Sequence, residues 1–86
     1  MPTQDELKDA LKNAVAAYEK AWAEAQAAGA EALEAFQKAE RFSEDSEARK
    51  LYEKQGKRAL LAAENWNKSV QLCVKVIGEI RTLQGD

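Results

Sequence analysis

Ser43-Glu44-Asp45-Ser46 forms a short polar break at the middle of this 86-residue chain. Two stretches of helix-forming composition and nearly equal length, about 4–42 and about 47–84, flank the break. Ser and Asp side chains compete with the hydrogen bonds of a helix and cap the start of a new one. We therefore predict an all-α fold in which the chain turns at this break and forms an antiparallel hairpin of two long helices.

The first stretch carries a regular apolar stripe. Thr3 and Glu6 match a capping box, which predicts that a helix starts near Gln4. Apolar residues then follow alternating steps of four and three, which is the spacing of a heptad seam. The members of this seam are Leu7, Leu11, Ala14, Tyr18, Ala21, Ala25, Ala28, Ala32, Ala35, Ala39 and Phe42, and the residues expected to widen it on one side are Val15, Trp22, Leu33 and Phe36.

Gly29 lies inside the first stretch. A glycine in a helix costs roughly 1 kcal/mol relative to alanine, so Gly29 is a candidate break point. The apolar phase continues in register on both sides of it, which favours one continuous helix. A three-helix bundle broken near Gly29 is the alternative.

The second stretch carries its own apolar stripe. If the chain folds back at the turn into two antiparallel helices, the distance of each residue from the turn predicts which residue of the other helix it faces. Residue i should lie opposite approximately residue 89 minus i. This reflection pairs Trp22 with Trp66 and Phe36 with Tyr52, and it sets Gly29 opposite Leu60 and Gly56 opposite Leu33. The residues of the second stripe are Tyr52, Gly56, Ala59, Leu60, Ala63, Trp66, Val70, Cys73, Val74, Ile77 and Ile80.

The C-terminal half carries more apolar residues than one neighbouring helix can cover. An alanine-rich first helix buries little apolar area per residue, so a lone hairpin is expected to be weak. We predict that a second face of the C-terminal helix binds a partner, most simply by closing a homodimeric four-helix bundle. The residues predicted for this partner interface are Leu61, Leu72, Val76, Ile80 and Leu83.

The amino-acid composition argues against most kinds of catalytic and metal-binding site. The chain has no histidine, the commonest general base and a common metal ligand, and its one cysteine, Cys73, lies on the apolar stripe. We therefore expect no enzyme activity, no metal, no cofactor and no small-molecule substrate. No apolar run approaches the ~20 residues of a membrane span, and the N-terminus does not resemble a signal peptide. The expected location is the cytoplasm, with signal-less export as the alternative.

Basic residues concentrate at the start of the second stretch, while the net charge of the whole chain is only −2. Lys50, Lys54, Lys57 and Arg58 recur at helical spacing, and such a face can contact phosphates. Glu53 interleaves with them, and a solvated charged surface has the same pattern. An RNA-binding hairpin dimer is therefore the alternative to a protein-binding module.

The sequence as a whole predicts a single domain, residues 1–86, that acts as an adaptor, a chaperone or an inhibitor. Its outline resembles the Trp-x-Gly class of exported hairpin dimers, small secretion chaperones and RNA-binding hairpin dimers. The turn lacks the Trp-x-Gly motif that defines the first class. An outline alone carries no function, so no family follows from it.

Overall fold

The computed structural model describes residues 2–85 as two α-helices joined by one loop. Helix α1 spans Gln4–Ala39 and helix α2 spans Glu47–Leu83. They lie side by side in a rod with extents of 62 × 15 × 13 Å. No strand occurs among the described residues, and the predicted all-α helical hairpin is confirmed.

Helix α1 begins where the capping box predicts. The Glu6 backbone N–H donates a hydrogen bond of 3.1 Å to Thr3 Oγ1, and acidic residues occupy the first turn, where the helix dipole favours them. The helix then continues through Gly29, so the alternative of a three-helix bundle is wrong. It ends at Ala39, three residues before the predicted end at 42.

Side chains of the loop, residues 40–46, and side chains of α2 hold the two segments together. Ser46 caps α2, since its Oγ accepts a hydrogen bond of 3.0 Å from the Arg49 backbone N–H. The Arg49 guanidinium donates to the Phe42 carbonyl at 3.2 Å and to Glu53 Oε1 at 2.9 Å. The Phe42 ring stacks on Tyr52, with 5.7 Å between ring centroids. Phe42 therefore contacts α2 from the loop rather than extending the α1 seam.

The two helices pack through a heptad seam of small side chains. All residues of the predicted α1 seam from Leu7 to Ala39 are buried or half-buried, and eight of the ten buried apolar residues within 2–85 are alanines. Unbroken heptads on both helices are typical of a left-handed coiled-coil pairing. In α2 and its C-terminal cap Gln84, the buried and half-buried positions at the same spacing are Tyr52, Gly56, Ala59, Ala63, Trp66, Val70, Cys73, Ile77, Ile80 and Gln84.

The predicted register between the helices is wrong. The Phe36 ring lies against Gly56, 2.8 Å from the position that a Cβ of Gly56 would take. In an antiparallel helix pair, the numbers of two facing residues have a constant sum, and the predicted sum is 89. The contact between Phe36 and Gly56 gives 92, and the contact between the loop residue Phe42 and Tyr52 gives 94. A ring packed beside a seam made mostly of alanines needs a gap, and Gly56, which has no Cβ, offers one to Phe36. The Phe36–Gly56 contact therefore departs from the register that the midpoint of the loop predicts.

The predicted glycine–leucine pairs are not formed. A Cβ added to Gly29 would meet nothing within 4 Å, and Leu33 and Leu60 are both exposed. Trp22 is 52% exposed, so it does not widen the seam as predicted, whereas Val15 and Phe36 are half-buried beside it. Leu60 and Val74 likewise lie outside the α2 seam.

The contrast between Gly29 and Gly56 gives a stability prediction. We expect Gly29→Ala to raise the free energy of unfolding by roughly 0.5–1 kcal/mol, because alanine favours the helix and meets no neighbour there. Gly56→Ala should lower it by about 1 kcal/mol, because displacing the packed Phe36 ring costs about 1–3 kcal/mol, more than the helix propensity gained. Urea unfolding measures both. Equal stabilisation by the two substitutions would contradict the packing of Phe36 against Gly56.

The cap at the start of α2 gives a second stability prediction. Ser46→Ala should lower the free energy of unfolding by about 1 kcal/mol, because the Arg49 backbone N–H loses its partner. Ser43→Ala is the matched control, since Ser43 engages Ser46 through its backbone carbonyl. Thermal and urea unfolding followed by circular dichroism compare the two variants. A loss of the same size in both would contradict the role of Ser46 as the cap.

Candidate interaction surface

The hairpin exposes more surface than a compact protein of its mass. Its accessible surface is 6586 Å², whereas a compact monomer of 9.5 kDa exposes about 5,000 Å². Among the described residues no large side chain is fully buried. The large apolar side chains that remain exposed are Trp22, Leu33, Phe42, Leu51, Leu60, Leu61, Leu72, Val74, Val76 and Leu83.

Four of these side chains form what we call the α2 face: Leu61, Leu72, Val76 and Leu83. Their exposed fractions are 58%, 64%, 44% and 60%. Ile80, the fifth residue that the sequence predicts for the partner interface, is only 8% exposed because it lies on the seam with α1. Ile80 therefore belongs to the hairpin core and is not part of the α2 face.

Heptad positions place the exposed apolar residues on two different sides of the hairpin. Val76 and Leu83 directly precede the seam residues Ile77 and Gln84. Trp22, Leu60 and Val74 instead directly follow the seam residues Ala21, Ala59 and Cys73. In an antiparallel coiled coil, positions that precede seam residues lie on one flank and positions that follow them lie on the other. The α2 face therefore lies away from Trp22.

Nearer the loop, the flank of the α2 face becomes polar. A shallow groove between the helices is lined there by Glu31, Glu34, Lys38, Gln55 and Arg58, with alanines at its floor. Lys38 and Glu34 form an exposed ion pair of 3.2 Å across one helical turn. The large apolar side chains that border the seam on this flank, Leu72, Val76 and Leu83, thus lie in the C-terminal half of α2, and Leu61 lies before its midpoint.

The predicted phosphate contacts Lys50, Lys54, Lys57 and Arg58, here called the basic patch, are all exposed in the first third of α2. The ion pairs formed within residues 2–85 join Glu34 to Lys38 and Arg49 to Glu53, so no carboxylate lies within 4 Å of a charged group of the basic patch. The hydrogen bond that the Arg49 guanidinium donates to the Glu53 carboxylate raises the pKa of Arg49, which is engaged at the loop.

The described residues offer little for catalysis. Cys73 is half-buried on the seam, and no charged or polar side chain of residues 2–85 is buried. Within the same residues, no three His, Cys, Asp or Glu side chains lie close enough together to hold a metal ion. Nor does any helix in this part of the chain combine the length and apolar content that crossing a bilayer requires.

Four of the five residues predicted for the partner interface are exposed, whereas the exposure of Trp22 and Leu33 was missed. Heptad position alone gives no signal for it, because Val15 and Phe36 also lie one position after a seam residue and are half-buried. A comparison of the chain with protein-family models, curated proteins and solved structures finds no match.

Proposed function

We propose that this chain is a non-enzymatic protein-interaction module whose α2 face forms an interface with a second helical hairpin. The observation that carries the proposal is that small side chains are buried and large ones are exposed. Alanines make up most of the hairpin core, while the leucines of α2 point to solvent. Such a module serves as an adaptor, a chaperone or an inhibitor. We propose a cytoplasmic location, with signal-less export as the alternative.

The free energy of burial supports this proposal. Burying one methylene contributes about 0.8 kcal/mol, whereas burying a whole leucine side chain contributes about 1.5–3 kcal/mol. Ordering a residue costs roughly 1.5 kcal/mol. A seam made mostly of alanines recovers little of that cost, and a partner that covers the α2 face would add the larger contributions. Four exposed side chains of this size on one face therefore favour an interface over a solvated surface.

Charge introduced into the α2 face should disrupt the assembly. We expect the unaltered chain to sediment at micromolar concentration with about twice its mass of 9.5 kDa. Val76→Glu should raise the dissociation constant at least about tenfold, because association would bury an unpaired carboxylate. Leu33→Glu is the matched control, since Leu33 is 61% exposed on α1, outside the α2 face.

Light scattering coupled to size-exclusion chromatography measures both variants. A well-folded monomer at hundreds of micromolar, with a stability that Val76→Glu leaves unchanged, would contradict the proposed function. Equal loss of assembly in Val76→Glu and Leu33→Glu would contradict the assignment of the interface to α2.

The second candidate function is RNA binding through the basic patch. It is favoured by four exposed cationic side chains, none of which has a carboxylate of residues 2–85 within 4 Å of its charged group. Affinity for a structured RNA hairpin should fall steeply with salt, and four phosphate contacts predict a slope of roughly −3 to −4 in the logarithm of the binding constant.

Charge reversal tests this candidate. Lys54→Glu with Arg58→Glu should abolish the binding, because both side chains lie in the basic patch. Lys8→Glu with Lys12→Glu on α1 is the matched control, because these two exposed lysines have the same spacing of four residues. Fluorescence anisotropy with a labelled RNA hairpin measures the affinity. Undetectable binding at low salt would contradict RNA binding.

A further inference from the structure

Leu61, Leu72 and Leu83 follow one another along α2 at equal intervals of eleven residues. We propose that the α2 face is covered by α2 of a second copy of this chain, packed antiparallel about a two-fold axis beside Leu72. This inference rests on the proposed function and names the partner and its geometry.

The spacing of the three leucines is self-complementary. Eleven residues make about three helical turns of 3.6 residues, so the leucines lie along one line on α2, roughly 33 Å long at 1.5 Å per residue. A two-fold axis at the central leucine pairs residue i with residue 144 minus i of the second copy. Leu72 then meets itself, and Leu61 meets Leu83 of the second copy. Isologous dimer interfaces have this property of matching the same surface to itself.

The residues beside the leucines fit the same pairing. By the same rule Val76 falls opposite Lys68 of the second copy, and Ser69 lies next to that position on the flank nearer the seam. Ala62 lies next to Leu61, which Leu83 of the second copy meets, so small side chains adjoin the large ones. On the other flank, Glu79 falls within one helical turn of Lys68 of the second copy, and two-fold symmetry repeats this pair of opposite charges. Shape and charge therefore agree on one register.

The available area is also sufficient. The surface of 6586 Å² exceeds that of a compact monomer of the same mass by about 1,500 Å². Each partner in a standard protein–protein interface contributes about 800 Å². The surplus covers such an interface, and the four side chains of the α2 face, about half exposed or more, provide its apolar centre.

Cysteine cross-linking tests the position of the axis. In a Cys73→Ala background, which removes the one native thiol, Leu72→Cys should give a covalent dimer under mild oxidation. A disulfide needs Cα atoms about 4.4–6.8 Å apart, and a residue comes this close to its own counterpart in the second copy only beside the axis. Gln71→Cys is the matched control, because its side chain is exposed but points about 100° away on the helix. Leu72 is 64% exposed, so its replacement leaves the hairpin core intact.

Mixing two single-cysteine variants tests the antiparallel direction. Leu61→Cys and Leu83→Cys, one of them carrying an affinity tag, should cross-link to each other in a mixture, while each variant alone should not. Parallel helices would give the opposite pattern, with covalent dimers of each variant alone. Non-reducing electrophoresis distinguishes the two results.

The outcomes separate this inference from the proposed function. A dimer in light scattering that cross-links no better through Leu72→Cys than through Gln71→Cys would overturn the two-fold axis and leave the interaction module in place. A parallel cross-linking pattern would do the same. A chain that stays monomeric at hundreds of micromolar and forms no cross-link would overturn both.

Discussion

The close approach of two helices through alanine side chains is the constraint on which the rest of this structure depends. Alanines at successive heptad positions from Ala21 to Ala39 leave almost no side-chain volume between α1 and α2. Large residues therefore have few places in the seam. Phe36, half-buried beside the seam, fits against α2 because Gly56 has no Cβ.

The large apolar residues of α2 that lie outside the seam include all of its leucines. Leu51, Leu60 and Leu61 are exposed in the first half of the helix, and Leu72 and Leu83 are exposed in the second. In a larger protein such residues would fill a core. A partner that covered them would bury more apolar area per residue than the alanines of the seam do.

The features of this fold that depend on residues close together in the sequence could be predicted from it. The cap at Thr3, the cap at Ser46 and the four–three spacing of the α1 seam each act within one or two helical turns, so the sequence predicted them correctly. Register and exposure depend on both helices at once. The reflection about the loop treated Gly29 and Gly56 as equivalent, although only Gly56 lies beneath an aromatic ring. The α2 face was predictable because its excess of apolar residues is visible on one helix alone, whereas Ile80 was assigned to it before the register was known.

Leu72 lies well past the middle of α2, eleven residues from its end at Leu83 but twenty-five from its start at Glu47. A two-fold axis at that point gives an assembly that is four helices thick only in its central part. Two arms, each a bare helix pair, then project in opposite directions, and the starts of the two α2 helices lie about 75 Å apart at 1.5 Å per residue. Each arm ends in its own loop and its own basic patch. Such an assembly would be a spacer with two identical, widely separated tips, and a ligand bound at one tip would be out of reach of the other.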